Sequence, residues 1–301
     1  MRELPRFIEQ RDPLSFIRRI DARPDRTVLE CFYFPKDTTY PRGLGEWPIS
    51  PTNKQFVLTP QVWVSPPSIG EVVVTKIGET MSDSERSVMI KLNGLFPTNA
   101  SARHALIYGY GWDPQGSTNP KDSYLIMERV PEDFEPLSSL MLDGFGKDPK
   151  EAGPAILELA KFLAKIHSEG IVHGDLLGLE GLDHYYFSPK TLELRIIDWD
   201  RARLKVVRKT SAESKDYNYI GTLSIDHDAL WYLVHTFFLD NVKLSDIPAH
   251  IQREYPSRVA SILARIYQNR WIDRREGYGY SHSDTGTARY LADIQELANQ
   301  F

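Results

Sequence analysis

The chain contains only one cysteine, Cys31, among its 301 residues. A single cysteine excludes an intrachain disulfide and any cysteine-rich zinc site, and its scarcity fits a reducing compartment. The sequence also lacks an apolar run long enough to span a bilayer, and its first residues lack the apolar core of a secretion signal. We therefore expect a cytoplasmic protein that makes no membrane contact, with the nucleus as the alternative location.

The sequence also lacks an excess of positive charge, since its formal net charge at pH 7 is −5. Without a basic field, the chain is not expected to bind nucleic acid or an anionic membrane surface. Its composition is 41% hydrophobic and 26% charged, which is typical of globular proteins. A chain of this length can build one large domain or two lobes.

The first part of the chain is rich in strand patterns. The runs "TVLECFYF", "QFVLTPQVWV", "EVVVTKI", "ARHALIYGYGW" and "SYLIMERV" are rich in β-branched and aromatic residues and predict strands. The run "DPLSFIRRIDA" predicts a short helix, and apolar residues at helical spacing predict another at "DSERSVMIKLNGL".

The second part of the chain is rich in helix patterns. Ile156, Leu159, Leu163 and Ile166 form one apolar face, and Pro154 is expected in the first turn of that helix. The run "DALWYLVHTFFL" is apolar on nearly all sides and predicts a buried helix. Strands followed by helices predict an α+β fold with two lobes.

We predict three regions from this organisation. Residues 1–60 are an N-terminal extension that packs on the small lobe, residues 61–130 form the small lobe, and residues 131–301 form the larger lobe.

Three carboxylates follow regular elements in the second part. Asp175 ends the run "KFLAKIHSEGIVHGDL", and Asp198 and Asp200 end the predicted strand "LELRIIDWD". Alternation along a strand would place Asp198 and Asp200 on one side, where both could bind a hard cation. A carboxylate beside Mg²⁺ and a phosphate donor can orient an attacking hydroxyl and accept its proton. The pattern therefore favours phosphoryl transfer.

The same residues carry a family resemblance. The run "LAKIHSEGIVHGDL" resembles the helix and catalytic loop of the protein-kinase-like superfamily, and "IIDWD" is similar to its metal-binding segment. The His-Gly-Asp and Asp-Trp-Asp variants look more like aminoglycoside and choline phosphotransferases, or atypical kinases. The resemblance implies a bilobal fold with a small β-rich lobe bearing one helix and a larger helical lobe. It also implies ATP and Mg²⁺ as cofactors, Asp175 as the catalytic residue, and Asp198 and Asp200 as metal ligands.

In the small lobe, the resemblance implies a lysine that binds phosphates and is paired with a glutamate on the next helix. Lys76 and Glu85 fit this pair. Lys91 is the competitor, but no glutamate follows it until Glu128. A buried lysine needs such a carboxylate to remain charged.

The resemblance also implies a nucleotide-binding hinge and an anchor for the catalytic loop. "YLIMERV" resembles the hinge, which places Met127 beside the adenine and the backbone of Glu128 and Val130 against its edge. "SIDHDALWYLVHTFF" resembles the helix whose aspartate anchors the catalytic loop. Asp226 is the preferred match, and Asp228 is the second.

The sequence departs from the family pattern in two places. No Gly-x-Gly-x-x-Gly precedes Lys76, although such a turn lets backbone N–H groups approach phosphate. The expected metal-binding asparagine is also missing. Glu180 stands at the usual spacing and is predicted as a metal ligand, whereas Asp183 or His184 takes that place if the loop carries an insertion.

The leading hypothesis is an ATP- and Mg²⁺-dependent phosphotransferase that acts on a Ser or Thr hydroxyl of a protein substrate. The first alternative is a pseudokinase that binds a partner protein as a scaffold. The second is a small-molecule kinase similar to aminoglycoside and choline phosphotransferases.

Overall fold

The structure is a computed structural model that describes most of the chain. The described residues are 14–22, 26–33, 61–68, 71–78, 83–112, 123–146, 148–177, 181–204, 217–239, 242–275 and 284–301. The chain divides into two compact units, residues 1–94 with 105–130 and residues 95–104 with 131–301.

The described residues form strands in both units. The strands are β1 (Leu14–Ala22), β2 (Arg26–Tyr33), β3 (Val62–Trp63), β4 (Val72–Gly78), β5 (Ala102–His104), β6 (Ile107–Trp112), β7 (Ser123–Glu128), β8 (Glu135–Pro136), β9 (Ile171–Val172), β10 (Tyr185–Ser188), β11 (Glu193–Ile196) and β12 (Arg203–Leu204). Six of them form the sheet of the first unit, in the order β1-β2-β4-β7-β6-β3. All neighbours in this sheet are antiparallel.

The sequence predicts a helix at "DPLSFIRRIDA", and this prediction is wrong because its last nine residues form β1. β1 pairs with β2 from Leu14 opposite Tyr33 to Ala22 opposite Thr27, with two irregularities in register. A neighbouring strand satisfies the backbone groups of a short apolar segment and thereby overrides its local helical pattern. Both strands fall within residues 1–60, the predicted extension, and they lengthen the sheet of the first unit.

The first unit also contains all but the last residue of α1 (Asp83–Leu95), where the sequence predicts a helix. Val88 and Leu92, which are four residues apart, are fully buried. The side chain of Asn93 donates to the carbonyl of Ile107 at 2.7 Å and accepts from its N–H at 3.1 Å. These two bonds fix the end of α1 against the start of β6.

The second unit contains the remaining helices of the described chain. They are α2 (Leu137–Leu142), α3 (Pro149–Ser168), α4 (Tyr217–Phe238), α5 (Ile247–Glu254), α6 (Ser257–Arg275) and α7 (Asp284–Ala298). Two small sheets accompany them, in the orders β5-β11-β10-β8 and β12-β9. A sheet-rich first unit and a helix-rich second unit confirm the α+β class.

One strand prediction needs a correction. The run "ARHALIYGYGW" is divided between β5, which pairs in parallel with β11, and β6, which pairs with β7. The two strands belong to different units because the chain passes from one to the other between His104 and Ala105. In "QFVLTPQVWV", only Val62–Trp63 is a strand, and residues 55–60 lie outside the described residues.

A capping aspartate and a proline mark the start of α3. The side chain of Asp148 accepts a hydrogen bond from the N–H of Lys150 at 3.0 Å, and Pro149 opens the helix. The predicted apolar face is confirmed, since Ile156, Leu159, Leu163 and Ile166 are all buried. Pro154 lies in the second turn of α3 rather than in the first, because the helix starts earlier than the apolar spacing indicates.

α4 extends further toward the N-terminus than the predicted helix and includes Asp226, which precedes it. Leu230, Leu233, Val234 and Phe238 are buried, as a helix apolar on nearly all sides requires. In the part of the chain that the structure describes, none of the helices has the length and apolar character needed to cross a membrane.

Candidate functional site

The loop that contains Asp175 follows a strand of only two residues. α3 ends at Ser168, and the chain returns through Gly170 into β9. β9 pairs with β12, which places Val172 opposite Arg203. Because β12 closely follows the Asp-Trp-Asp segment in the chain, this pairing brings the two predicted functional segments of the second unit side by side.

A buried carboxylate in α4 anchors this loop. Asp226 has no exposed surface, and its two oxygens accept hydrogen bonds from the backbone N–H groups of His173 at 2.9 Å and Gly174 at 2.7 Å. Nε2 of His167 donates to the same carboxylate at 2.9 Å. The predicted choice of Asp226 over Asp228 as the anchor is confirmed.

The hydrogen bonds keep Asp226 charged despite its burial. Burial by itself raises the pKa of this carboxyl, but the hydrogen bond from His167 and the backbone hydrogen bond from Gly174 bring the pKa below its ordinary value. A buried charge is tolerated only when hydrogen bonds or opposite charges satisfy it. Asp226 therefore fixes the loop by charge as well as by geometry.

His173 connects the Asp175 loop to the segment before Asp198. Nε2 of His173 lies 3.0 Å from the carbonyl oxygen of Ile197, and Nδ1 accepts from the N–H of Asp175 at 3.3 Å. This pattern assigns the proton to Nε2 of a neutral ring. Burial lowers the pKa of His173, which favours the neutral form. The ring also packs 4.4 Å from that of Trp199.

Gly174 has a conformation that explains its residue type. Its φ of 83° lies in the left-handed region, where a side chain other than glycine costs roughly 1–2 kcal/mol. The N–H of Gly174 must point at Asp226 from this conformation. The glycine of the His-Gly-Asp segment is therefore required by the turn itself.

Asp175 presents its carboxylate at the surface of the second unit. Its side chain is 27% exposed, with Oδ1 3.0 Å from Nη1 of Arg201 and Oδ2 3.5 Å from Nε2 of His184. The backbone of His184 is fixed, because its carbonyl accepts from the N–H of Ile197 at 3.1 Å. The loop thus has a rigid base and a carboxylate that solvent or a ligand can reach.

The Asp-Trp-Asp segment differs from its predicted geometry. β11 ends at Ile196, so Asp198 and Asp200 do not lie on a strand, and the alternation that would place them on one side does not apply. Asp198 has a φ of 60°, a conformation that a non-glycine residue adopts at a cost and that often accompanies a functional site. Trp199 is buried, Asp198 is half-buried and Asp200 is exposed.

The structure can be compared with the three candidates that the sequence offers for the position of the expected asparagine. Glu180 lies outside the described residues. Asp183 accepts a hydrogen bond from the hydroxyl of Ser138. His184 directly precedes β10 and contacts Asp175. Of the two described candidates, only His184 contacts the predicted catalytic carboxylate, although an imidazole suits Mg²⁺ poorly.

In the first unit, the predicted ion pair is present. Nζ of Lys76 lies 3.3 Å from Oε1 of Glu85, and their side chains are 12% and 2% exposed. Lys91, the competitor, is exposed on α1. A nearly buried carboxylate that orients a lysine is the arrangement expected of a phosphate-binding lysine.

The predicted hinge residues lie at the end of β7. Met127 and Glu128 are half-buried and end the strand, and Val130 follows it. The N–H of Glu128 donates to the carbonyl of Leu106 at 2.8 Å, and its side chain accepts from the N–H of Leu106 at 3.1 Å. The backbone N–H of Glu128 is therefore already used in a hydrogen bond to Leu106.

No group of three or more His, Cys, Asp or Glu side chains within the described ranges is arranged to hold a metal ion. Mg²⁺ usually keeps several waters and is held by one or two carboxylates together with substrate phosphates. The half-buried carboxylate of Asp198, with exposed Asp200 nearby in the chain, fits that mode of binding, although it does not form a complete cage.

Sequence reasoning missed two partners that the described residues supply to the Asp175 carboxylate, His184 and Arg201. The sequence offers His184 only as a candidate metal ligand and predicts no role for Arg201. Arg201 is 26 residues from Asp175 in the sequence, and no local pattern connects them. A search of protein-family models and a search of curated proteins both find no match to this chain.

Buried histidines of the second unit predict a pH-dependent stability. Burial, aided by the charge of Arg103, lowers the pKa of His104 from 6.5 to about 3, and burial likewise lowers that of His227 to about 3. Both stay neutral in the folded chain but bind a proton below pH 6.5 once unfolded. Stability is therefore lost as pH falls from 6.5 toward 3, by about 1.4 kcal/mol per pH unit for each histidine.

Urea unfolding at pH 7, 6 and 5 measures this loss. The variant His104→Phe keeps an aromatic ring beside Phe96 and Trp199 but cannot titrate. Its free energy of unfolding should fall less steeply with pH than that of the wild type. If the free energy of unfolding depends equally on pH in the two proteins, His104 does not cause the loss of stability.

Proposed function

We propose that this chain is an ATP- and Mg²⁺-dependent phosphotransferase of the protein-kinase-like fold, acting on a Ser or Thr hydroxyl of a protein. The observation that supports this most is the anchoring of the His-Gly-Asp loop by buried Asp226, which leaves the Asp175 carboxylate at the surface. A stability role alone does not explain a rigid loop that presents a partly exposed acid.

Each unit supplies features that the family resemblance implies. The first has a β-sheet with one helix and the pair Lys76–Glu85. The second is mainly helical and contains the Asp175 loop beside the Asp-Trp-Asp segment. A bilobal kinase-like fold is the finer architecture that we propose within the α+β class.

The proposed roles follow from charge and position. Asp175 orients the acceptor hydroxyl and takes its proton, and Lys76, oriented by Glu85, binds the nucleotide phosphates. Asp198 and Asp200 would hold Mg²⁺, which neutralises phosphate charge when bound. Met127 would lie beside the adenine, with the backbone of Glu128 and Val130 against its edge.

Two alternatives rest on specific features. The absence of a glycine-rich turn before Lys76, and a histidine in contact with Asp175 in place of an asparagine ligand, favour a pseudokinase that binds a partner protein. The Gly174 and Asp-Trp-Asp variants favour a small-molecule kinase.

A thermal-shift titration with ATP, with and without Mg²⁺, tests nucleotide binding. At a hundredfold excess over its dissociation constant, ATP should raise the melting temperature by about 5 °C or more, because a ligand of the native state stabilises it by mass action. The variant Lys76→Ala should lose most of this shift. No shift of the wild type at millimolar ATP would overturn the proposal and favour the scaffold.

Transfer of labelled phosphate from [γ-³²P]ATP identifies the acceptor. The reactions contain a generic protein, the chain itself, or a panel of aminoglycosides, choline and sugars. Label on protein supports the proposed acceptor, whereas label only on a small molecule supports the second alternative.

A further inference from the structure

Arg201 makes an ion pair that none of the proposed roles uses. Its Nη1 lies 3.0 Å from Oδ1 of Asp175, the carboxylate that we propose orients the acceptor. The side chain of Arg201 is 67% exposed. The acid that we propose accepts the hydroxyl proton is thus paired with a permanent positive charge.

The backbone around Arg201 is fixed although its side chain is not buried. Trp199 and Ala202, which flank the turn, are buried, and the N–H of Ala202 donates to the carbonyl of Trp199 at 3.1 Å. The next residues form β12, which pairs with β9 directly before the Asp175 loop. Arg201 is therefore held beside Asp175 by its backbone, while most of its side chain is exposed to solvent.

The pair itself contributes little energy. Exposed ion pairs contribute about 0–1 kcal/mol, so a stronger anion can displace Asp175 at small cost. A terminal phosphoryl group has more charge than a carboxylate, and its oxygens match the planar fork of a guanidinium. Oδ2 of Asp175 would still lie beside His184 after Arg201 has turned away.

We propose that Arg201 is a phosphate-binding residue that exchanges the Asp175 carboxylate for the terminal phosphoryl group of the bound nucleotide. This proposal rests on the proposed function and deepens it. The exchange frees Oδ1 of Asp175 for the acceptor hydroxyl and stabilises the charge of the transferred group.

The transfer step is then balanced. The acceptor oxygen forms a bond to the γ-phosphorus, and its proton passes to Asp175. The bond between the γ-phosphorus and the bridging oxygen breaks, and ADP leaves with that electron pair. Arg201 forms no covalent bond and acts only through charge and hydrogen bonds.

Calorimetric binding of ADP and of a non-hydrolysable ATP analogue tests this role without requiring turnover. The variant Arg201→Ala should bind the analogue about 10- to 100-fold more weakly, which is the energy of a charge-assisted hydrogen bond. Its affinity for ADP should stay within about twofold of the wild-type value. The affinity of Arg201→Lys for the analogue should lie between those of the wild type and Arg201→Ala, because lysine keeps the charge but lacks the planar fork.

Arg203 provides a matched control. It is an exposed arginine two residues away, and its Nη1 donates to the carbonyl of Ala202 at 2.9 Å. Arg203→Ala should bind both nucleotides as the wild type does. In the transfer assay, Arg201→Ala should lower kcat by about 10³-fold, whereas Arg203→Ala should not change it.

The outcomes separate the inference from the function on which it rests. If the wild type binds both nucleotides and Arg201→Ala lowers the two affinities equally or not at all, the inference fails and the proposed function stands. Faster transfer by Arg201→Ala would also overturn the inference, since Arg201 would then be a brake on Asp175. A wild type that binds neither nucleotide overturns the proposed function and this inference together.

Discussion

Replacing Asp226 by alanine is expected to lower the free energy of unfolding by about 3–5 kcal/mol, because it leaves the buried partners of a lost charge without an acceptor. The N–H groups of His173 and Gly174 and the ring of His167 all donate to this carboxylate. Urea unfolding followed by circular dichroism measures the loss.

Asp228→Ala is the matched control, because it removes a half-buried carboxylate from the same helix two residues away. This variant should lower the free energy of unfolding by about 1 kcal/mol. If Asp226→Ala does not fold, Asp226→Asn provides the measurement, with an expected loss of about 1–3 kcal/mol, since asparagine retains one acceptor oxygen. Equal losses for the variants at 226 and 228 would contradict the anchoring role.

Asp175→Asn is expected to lower phosphate transfer by about 10²–10⁴-fold, because an amide cannot accept the proton of the acceptor hydroxyl. The fold should persist, since the exposed pair between Asp175 and Arg201 contributes about 0–1 kcal/mol. Transfer from [γ-³²P]ATP and the melting temperature, measured on the same preparations, separate the two effects.

Asp143→Asn is the control for this experiment. Asp143 is an exposed carboxylate in the second unit, directly after α2, and has no place in the proposed site. Its variant should retain both activity and melting temperature. If Asp175→Asn transfers phosphate at the wild-type rate, Asp175 is not the proton acceptor.

Much of the helical part could be predicted from the sequence because its signals are local. The face from Ile156 to Ile166 repeats at helical spacing, and burial of such a face against any core gives the same helix. The pair Lys76–Glu85 followed from a resemblance and from the need of a buried lysine for a carboxylate.

The failures arose where tertiary partners override local patterns. Leu14, Ile17 and Ile20 recur at a spacing that suits a helix, yet the segment is β1 because β2 supplies hydrogen-bond partners along its length. At the Asp-Trp-Asp segment, burial of Trp199 and the left-handed backbone of Asp198 end the strand alternation.

The sequence by itself determined the fold class and the main helices, because composition and spacing along the chain encode them, and the residues that we propose for phosphoryl transfer came from a resemblance. The resemblance also predicted the pair Lys76–Glu85 and the anchoring role of Asp226, but only the tertiary structure decided that Arg201 and His184 contact Asp175. Asp226 meets His173 across 53 residues of sequence, and Arg201 meets Asp175 across 26. Such contacts follow from the packing of α4 and the pairing of β9 with β12, and local sequence contains no record of either.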